Sequence, residues 1–461
     1  MSSVQTGGWS RAFALLVALT GFLELFDGTV IQTALPAMAR DFTVSPGEVA
    51  VSMAAYFAAV SAAIPLCSWL ANRFGVRNSF VAGVLLFVVG SVLCGFTSTL
   101  PALLVDRIVQ GVGGAVMMTI GQMTVIRTAP REKMLNVTAY LVWPALIAPV
   151  VAPVIGGLVT DSFGWRWLFW INVPLGIAGA LLGLRLAPKS LPGADPKQKL
   201  DYVGAILLSL GLWALISALG AENVGFGASR ILELLLGIGF TIAAVVWLLK
   251  AKKPLLDLRL YRLTSFRITN FGGAIYRSVI ITVPVLVTLL FQEGFGWSAV
   301  QSGAVVTAIF IGNIGIKPAA NWAIRRWGFR SVLMGATIGG VVGLIGIVFI
   351  GSNSQIWLIV LILAVSGAAR SVGFTSYVGI QFADVPQDKM SVASPLSGTV
   401  QQLSAAAGIA VFVGIGTWLQ SLMEPALALK FALSIMAFVL AATLYWLFRL
   451  PRETGARLAV K

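Results

Sequence analysis

The sequence predicts an all-α membrane protein of fourteen spans. Three observations carry that expectation: few charges among many apolar residues, successive apolar runs long enough to cross a bilayer, and basic residues gathered into alternate loops. Hydrophobic residues make up 58% of the 461 positions and charged residues only 11%, against roughly 25% charged in soluble globular chains. A water-soluble fold would leave more apolar surface than one core could hide, so lipid is the solvent for much of the chain.

A span takes about 20 mainly apolar residues to cross about 30 Å of hydrocarbon. Such runs cover 11–36, 46–71, 78–97, 101–126, 134–160 and 165–186. Two more cover 202–220 and 230–250, and six follow at 266–291, 298–324, 330–351, 356–380, 391–419 and 424–449. The opening MSSVQTGGWS lacks the basic stretch of a cleaved signal, so the first run is expected to stay as a span. In lipid each run must satisfy its own backbone groups, and a helix does this.

Alternate loops separate by charge. One set holds Arg73 and Arg77; Arg127, Arg131 and Lys133; Lys189, Lys197 and Lys199; and Lys250, Lys252, Lys253, Arg259 and Arg262. It continues with Arg325, Arg326 and Arg330, then Lys389, then Arg449, Arg452 and Arg457. The other set holds Arg40, Arg166 and Arg230 and little else basic. By the positive-inside rule both termini are expected in the cytoplasm, with the chain in the inner membrane. The net charge of +15 is spread over these loops and forms no single stripe, which argues against a nucleic-acid partner.

Cys67 and Cys94 sit in apolar runs without metal-ligand spacing, and there is no histidine. Proton chemistry therefore falls to carboxylates. No Walker-type phosphate loop is present, so ATP is not the expected energy source, and no cofactor or metal is expected.

The stretch Ser68–Arg77, SWLANRFGVR, has an echo at Asn321–Arg330, NWAIRRWGFR. Arg73, Gly75 and Arg77 match Arg326, Gly328 and Arg330 at a constant offset of 253. The expected organisation is a six-helix bundle over 1–200, two inserted helices and a linker over 201–255, and a second six-helix bundle over 256–461. Repeats of this kind build transporter sites at the midplane, between halves that rock.

Four motifs in order resemble the major facilitator superfamily, and within it the fourteen-span drug:proton antiporter branch. LFDGTVIQTALP (25–36) looks like the branch's D-x-T-x-x-x-x-A-L-P signature, and SWLANRFGVR (68–77) is similar to the family's G-x-L-A-D-R-x-G-R loop. DRIVQGVGGA (106–115) is close to R-x-x-Q-G-x-G, and APVVAPVIGG (148–157) looks like the antiporter-associated G-P-x-x-G-G motif. WRWLFWINVPLG (165–176) reads like the start of span 6 in this branch. The resemblance implies a proton-coupled antiporter that exports small amphipathic compounds. It implies conformational roles for Asn72, Arg73, Gly75, Arg77, Gln110, Gly111, Pro149, Pro153, Gly156 and Gly157. The chain departs from the pattern at Asn72, which replaces the loop aspartate, and at Ala152, where a glycine is usual. The resemblance implies that the loop aspartate helps latch the cytoplasmic side; the uncharged Asn72 can still hydrogen-bond, so a weaker latch or one with other partners is expected here.

Charges within spans are costly, by at least roughly 2.5–3.5 kcal/mol each at mid-bilayer, and face a cavity or a partner. Glu24 and Asp27 are three apart on span 1 and share a face. Arg107 on span 4 lies at a depth comparable to Asp27, so the two are placed to pair. Asp106 is turned about 100° away from Arg107. The reading is that Glu24 and Asp27 alternate between proton and substrate while Arg107 balances them; the alternative is a fixed ion pair. The second half is opposite in sign, with Arg277, Lys317 and Arg370 inside spans and Asp384 and Asp388 as nearby loop acids. These cations suggest a second function, carriage of an organic anion, zwitterionic metabolite or lipid-like substrate. Tyr140, Trp143, Tyr276 and Phe291 are candidate cavity aromatics. The expected partners are a small molecule, protons and the bilayer, with the chain acting as a monomer and not as an enzyme.

Overall fold

The computed structural model describes residues 9–450 except 131, 133, 192–194, 198, 221–227, 253 and 387–388. Of the loop charges named above, Arg131, Lys133, Lys253, Arg452, Arg457 and Asp388 lie outside the described residues.

The first part of the chain forms α1 (Arg11–Val30), α2 (Leu35–Phe42), α3 (Pro46–Phe74), α4 (Val76–Phe96) and α5 (Leu100–Thr128). It continues with α6 (Met134–Phe163), α7 (Trp167–Trp170) and α8 (Asn172–Leu186), followed by α9 (Tyr202–Gly220) and α10 (Ala228–Lys250). The last part holds α11 (Thr264–Leu289), α12 (Ala299–Gly315), α13 (Lys317–Val348) and α14 (Ile356–Gln381). It ends with α15 (Met390–Gly408), α16 (Gly414–Gln420), α17 (Pro425–Ala442) and α18 (Leu444–Phe448). Among the described residues, twelve helices are long and apolar enough to cross a membrane, and Tyr202–Ala218 and Ala299–Gly315 are shorter apolar helices.

Several expected spans consist of more than one helix, and two of the breaks bear on the site and on the span count. The run 11–36 breaks after Val30 into a 3₁₀ turn, Ile31–Thr33, before α2 begins. Pro36 in the first turn of α2 has no N–H to continue the earlier ladder, so the helix restarts there. The run 298–324 is interrupted between Gly315 and Lys317, and its second piece joins the next span through Gly328, whose φ of 75° is not helical. With Gly328 as the turn, α12 and the start of α13 make one crossing and the rest of α13 makes the next, which gives fourteen.

The repeat extends well beyond the loop that revealed it. The offset of 253 carries the first residue of α1 onto that of α11, and that of α3 onto that of α12. Each of the latter pair opens with a capping box: Glu48 N donates to Ser45 Oγ at 3.2 Å, and Gln301 N donates to Ser298 Oγ at 3.2 Å. Each reciprocal bond is also present, from Ser45 N to Glu48 Oε2 at 2.8 Å and from Ser298 N to Gln301 Oε1 at 3.1 Å. Gly75 and Gly328 share φ values of 83° and 75°, a region where a β-carbon is strained. Arg77 Nε donates to Ala187 O at 2.8 Å and Arg330 Nη2 to Phe448 O at 3.0 Å, so each ties its turn to the end of the sixth helix of its own repeat.

The turns at Gly75 and Gly328 lie on what we term the basic face. One apolar cluster joins the repeats, running from Phe26, Val30 and Leu35 through Ala148 and Ala152 to Val306 and Val413, and in the second repeat it reaches Phe329 and Leu447 beside the basic face. Another belongs to the first repeat alone, from Phe13 and Tyr56 to Val76 and Leu191. The surface is strongly apolar: Phe96, Phe349 and Phe438 are 74, 81 and 76% exposed, as side chains facing lipid tails would be. The pair α9–α10 packs along α3, and Asp201 anchors it by accepting from Trp247 Nε1 at 2.8 Å and Leu255 N at 3.0 Å.

Candidate functional site

The first-repeat charges converge where α1 meets α5. Arg107 Nη1 donates to Asp27 Oδ2 at 2.6 Å, and both residues are fully buried. Gln110, one turn along α5, donates its amide to Asp27 Oδ1 at 2.9 Å and to Ser91 Oγ at 2.8 Å, while its Oε1 accepts from Arg107. Asn172, at the start of α8, donates to Asp27 Oδ1 at 2.7 Å. Tyr56 on α3 completes the enclosure, its ring 4.2 Å from the Arg107 guanidinium carbon. Asp27 therefore accepts three bonds, one of them from a cation, and the pair avoids the penalty of an isolated charge. Small residues on α5 permit this closeness: a β-carbon on Gly111 would lie 2.6 Å from Tyr56 O, and one on Gly114 2.9 Å from Tyr56 Oη.

Glu24 is buried, one turn before Asp27, and its surroundings differ. Its Cγ lies 3.4 Å from where a Gly114 β-carbon would stand. Among the described residues no hydrogen bond reaches its carboxyl group. Asp106 is only partly buried and lies outside the clasp.

The cations of the second repeat do not form one cluster. Arg277 is fully buried and none of its three guanidinium nitrogens has a partner among the described residues; Tyr377 and Gly273 stand beside it. Arg370 lies over Phe310 at 5.4 Å, and its carbonyl accepts from Tyr276 Oη at 3.2 Å. Lys317 donates to Thr375 Oγ1 at 3.2 Å, beside the α12–α13 break. The loop acid Asp384 makes no ion pair with these cations among the described residues.

The glycines and prolines of α6 lie at a seam between the repeats. A β-carbon on Gly157 would stand 2.5 Å from Ala299 O, and one on Gly303 2.1 Å from Pro153 O. Gly156 faces the broken end of α1, with Thr33 Oγ1 2.4 Å from a β-carbon position. The break exposes Thr33 O, which accepts from Gln292 Nε2 at 3.0 Å. Further bonds cross from Val300 N to Asp161 Oδ2 at 3.1 Å, from Thr307 Oγ1 to Val150 O at 3.2 Å, and from Ser61 Oγ to Thr399 O at 2.9 Å. Among the described residues these crossing bonds run from mid-bundle to the face opposite the basic one. Pro149 is half-buried on the same helix, one turn before Pro153.

On the basic face, Arg73 donates to Pro196 O at 3.2 Å and Val76 N to Lys189 O at 3.0 Å. A β-carbon on Gly75 would lie 2.6 Å from Lys189 O. Asn72 sits in the last turn of α3.

The expected cavity aromatics divide. Tyr276 packs against Tyr377 at 5.1 Å and Phe291 stacks on Trp297 at 4.8 Å, both in the protein interior. Trp143 is 58% exposed, and Tyr140 lies beneath Arg11. Sequence reasoning missed Ser91, Asn172, Tyr56 and Gln292. The available signal was a lone polar side chain within an apolar run, as Asn172 is in WINVPLG.

A family profile of the Major Facilitator Superfamily matches residues 17–409. The chain is 30% identical over 464 residues, 96% of each chain, to “Putative multidrug resistance protein MdtD” of Escherichia coli O1:K1. It is 30% identical to the protein of that name from Cronobacter sakazakii over 400 residues, 86% of this chain and 84% of the other. Among solved structures, a D-xylose-proton symporter superposes with a TM-score of 0.69 at 15% identity, covering 96% of this chain and 98% of the other. The human organic anion transporter MFSD10 superposes with a TM-score of 0.62 at 15% identity, covering 95% and 99%. At such identities the likeness is one of fold.

Proposed function

The chain belongs to the Major Facilitator Superfamily, and from that premise we propose that it is a proton-coupled antiporter exporting small amphipathic compounds across the inner membrane. The observation that carries this reading is the buried pair of span-1 carboxyl groups, one clasped by Arg107 and one without a hydrogen-bond donor. Carboxyl groups this deep are sites where a proton and a substrate can exchange. The multidrug resistance named for the full-length relatives supports export as the direction.

In this reading residues 1–200 and 256–461 are the rocking bundles, and 201–255 brings the two added helices and linker. Both termini and the basic face are cytoplasmic. The seam at Gly157 and Gly303 then closes the outer side. Asn72, Arg73, Gly75 and Arg77 shape the cytoplasmic turn, and Pro149, Pro153, Gly156 and Gly157 let α6 seat against the second bundle. Gln110 and Gly111 hold the clasp. Arg277, Lys317 and Arg370 line the second bundle, and the protein works as a monomer without cofactor or reaction chemistry. The unpartnered Arg277 favours a second reading, in which the cargo bears an anionic group.

The test uses everted membrane vesicles with an imposed pH gradient and ethidium as the reporter compound. Wild type is expected to dissipate the gradient when ethidium is added, and Asp27→Asn to lose this by about tenfold or more. Equal dissipation by the two proteins, or none by wild type across a broad compound panel, defeats the proposal.

A further inference from the structure

Glu24 and Arg277 are the same position in the two repeats. The offset of 253 that aligns the helix starts, the capping boxes and the glycine turns also carries Glu24 onto Arg277, without a gap in between. Each is the fourteenth residue of its helix, so each lies about 20 Å along its helix from the basic face. The pseudo-symmetry thus places an acid and a base at equal depth, one in each bundle.

Each position has a buried tyrosine close by, though the two tyrosines stand on different helices of their repeats: Tyr56 on α3 and Tyr377 on α14. Glu24 leans toward α5, where its Cγ and Tyr56 Oη crowd the space over Gly114 at 3.4 and 2.9 Å from a β-carbon position. Arg277 folds back along its own helix, where its Nη2 lies 3.1 Å from a β-carbon position on Gly273 of α11, with Tyr377 Cδ1 of α14 at 3.2 Å from the same point. Both tyrosine hydroxyls are buried without a partner among the described residues. The neighbouring Asp27 is the contrast: its carboxylate is occupied by Arg107, Gln110 and Asn172. Among the described residues each repeat thus has, at an equivalent place, a buried ionisable side chain to which no hydrogen bond is made, one acidic and one basic.

We infer that Glu24 and Arg277 are the two poles of one substrate site, and that the site takes a zwitterion carrying an ammonium and a carboxylate or similar monoanion. The ammonium goes to Glu24 with Tyr56, and the anionic group to Arg277 with Tyr377. A buried charge is costly without a partner, so a ligand matching both poles satisfies two groups at once. The inference rests on the antiporter reading and gives it a cargo class. On Glu24 the arriving ammonium replaces a proton, which leaves as the ligand binds.

Three probes matched in size separate the poles: norfloxacin (piperazinium and carboxylate), its decarboxylated analogue (cation only) and its N-acetyl analogue (anion only). Binding to the purified chain in lipid nanodiscs needs no pH gradient. Wild type is expected to bind norfloxacin at least about tenfold more tightly than either analogue. Arg277→Gln should erase the advantage over the decarboxylated probe, and Glu24→Gln the advantage over the N-acetyl probe. Arg277→Lys, which keeps the charge, should retain most of the preference and guards against a misfolded variant. A wild type that prefers no probe or binds none, or an Arg277→Gln protein with the wild-type ratio, overturns the site. Proton-coupled ethidium export without zwitterion preference removes the site and leaves the antiporter reading intact. Zwitterion preference with transport that moves no protons does the reverse.

Discussion

Asp27 makes its bonds to α5 and α8 of its own bundle, and nothing about it is provisional in this conformation: a guanidinium, two amides and a face of Tyr56 enclose the pair. Removing one partner would strand the other charge away from water. Arg107→Leu is accordingly expected to lower unfolding stability by about 3–5 kcal/mol, and adding Asp27→Asn to recover a large part of it. Denaturant unfolding in detergent micelles decides this; a single substitution as mild as the double one would mean that the pair is not coupled. The pair was legible in the sequence, because counting along two spans set Asp27 and Arg107 at one depth. Ser91, Asn172 and Tyr56 were not legible in this way. They come from three other helices, and apolar periodicity does not tell how helices are ordered around a bundle.

At the scale of the element, the seam between bundles depends on missing side chains. α6 and α12 approach so closely that a β-carbon at Gly303 would meet the Pro153 carbonyl at 2.1 Å. In a membrane, where packing and not water expulsion draws helices together, such contacts carry the association. Gly303→Val is therefore expected to part the seam and raise several-fold the labelling of a cysteine placed at Thr33 by an impermeant maleimide. Cys67 and Cys94 are fully buried and should stay silent. Unchanged labelling would show that the seam tolerates bulk. The span limits were nearly all legible, with 202–220 and 356–380 met within a residue, because long apolar runs in lipid leave the chain few alternatives. The break in α1 was harder to read. The run 11–36 reads as one continuous span despite Pro36, and the use made of the break, a Thr33 carbonyl that accepts from Gln292 of the other bundle, depends on a contact between residues 259 positions apart.

For the whole molecule, orientation follows from where cations sit, and the turns at Gly75 and Gly328 share one face. A phosphatase fused after residue 450 is expected to be inactive and one fused after Gly164 active, since the two points lie on opposite sides. The reverse result would invert every assignment of inside and outside made above. The repeat was legible from one loop, but its reach was not. Helix starts and capping boxes were needed to establish that the offset runs unbroken from α1 through α3, and only then do Glu24 and Arg277 become counterparts.

That correspondence bears on voltage. A membrane potential does about 2.3 kcal/mol of work per unit charge per 100 mV of field crossed. When access switches from one side to the other, charges at equal depth experience the same change in local potential, and here they are opposite in sign. The work done on Glu24 cancels the work done on Arg277, so the potential gains no purchase on the rocking motion through this pair. In the antiporter reading proposed above, uptake of a proton by Glu24 ends the cancellation, and the uncompensated Arg277 makes that step of the cycle the one that the membrane potential drives.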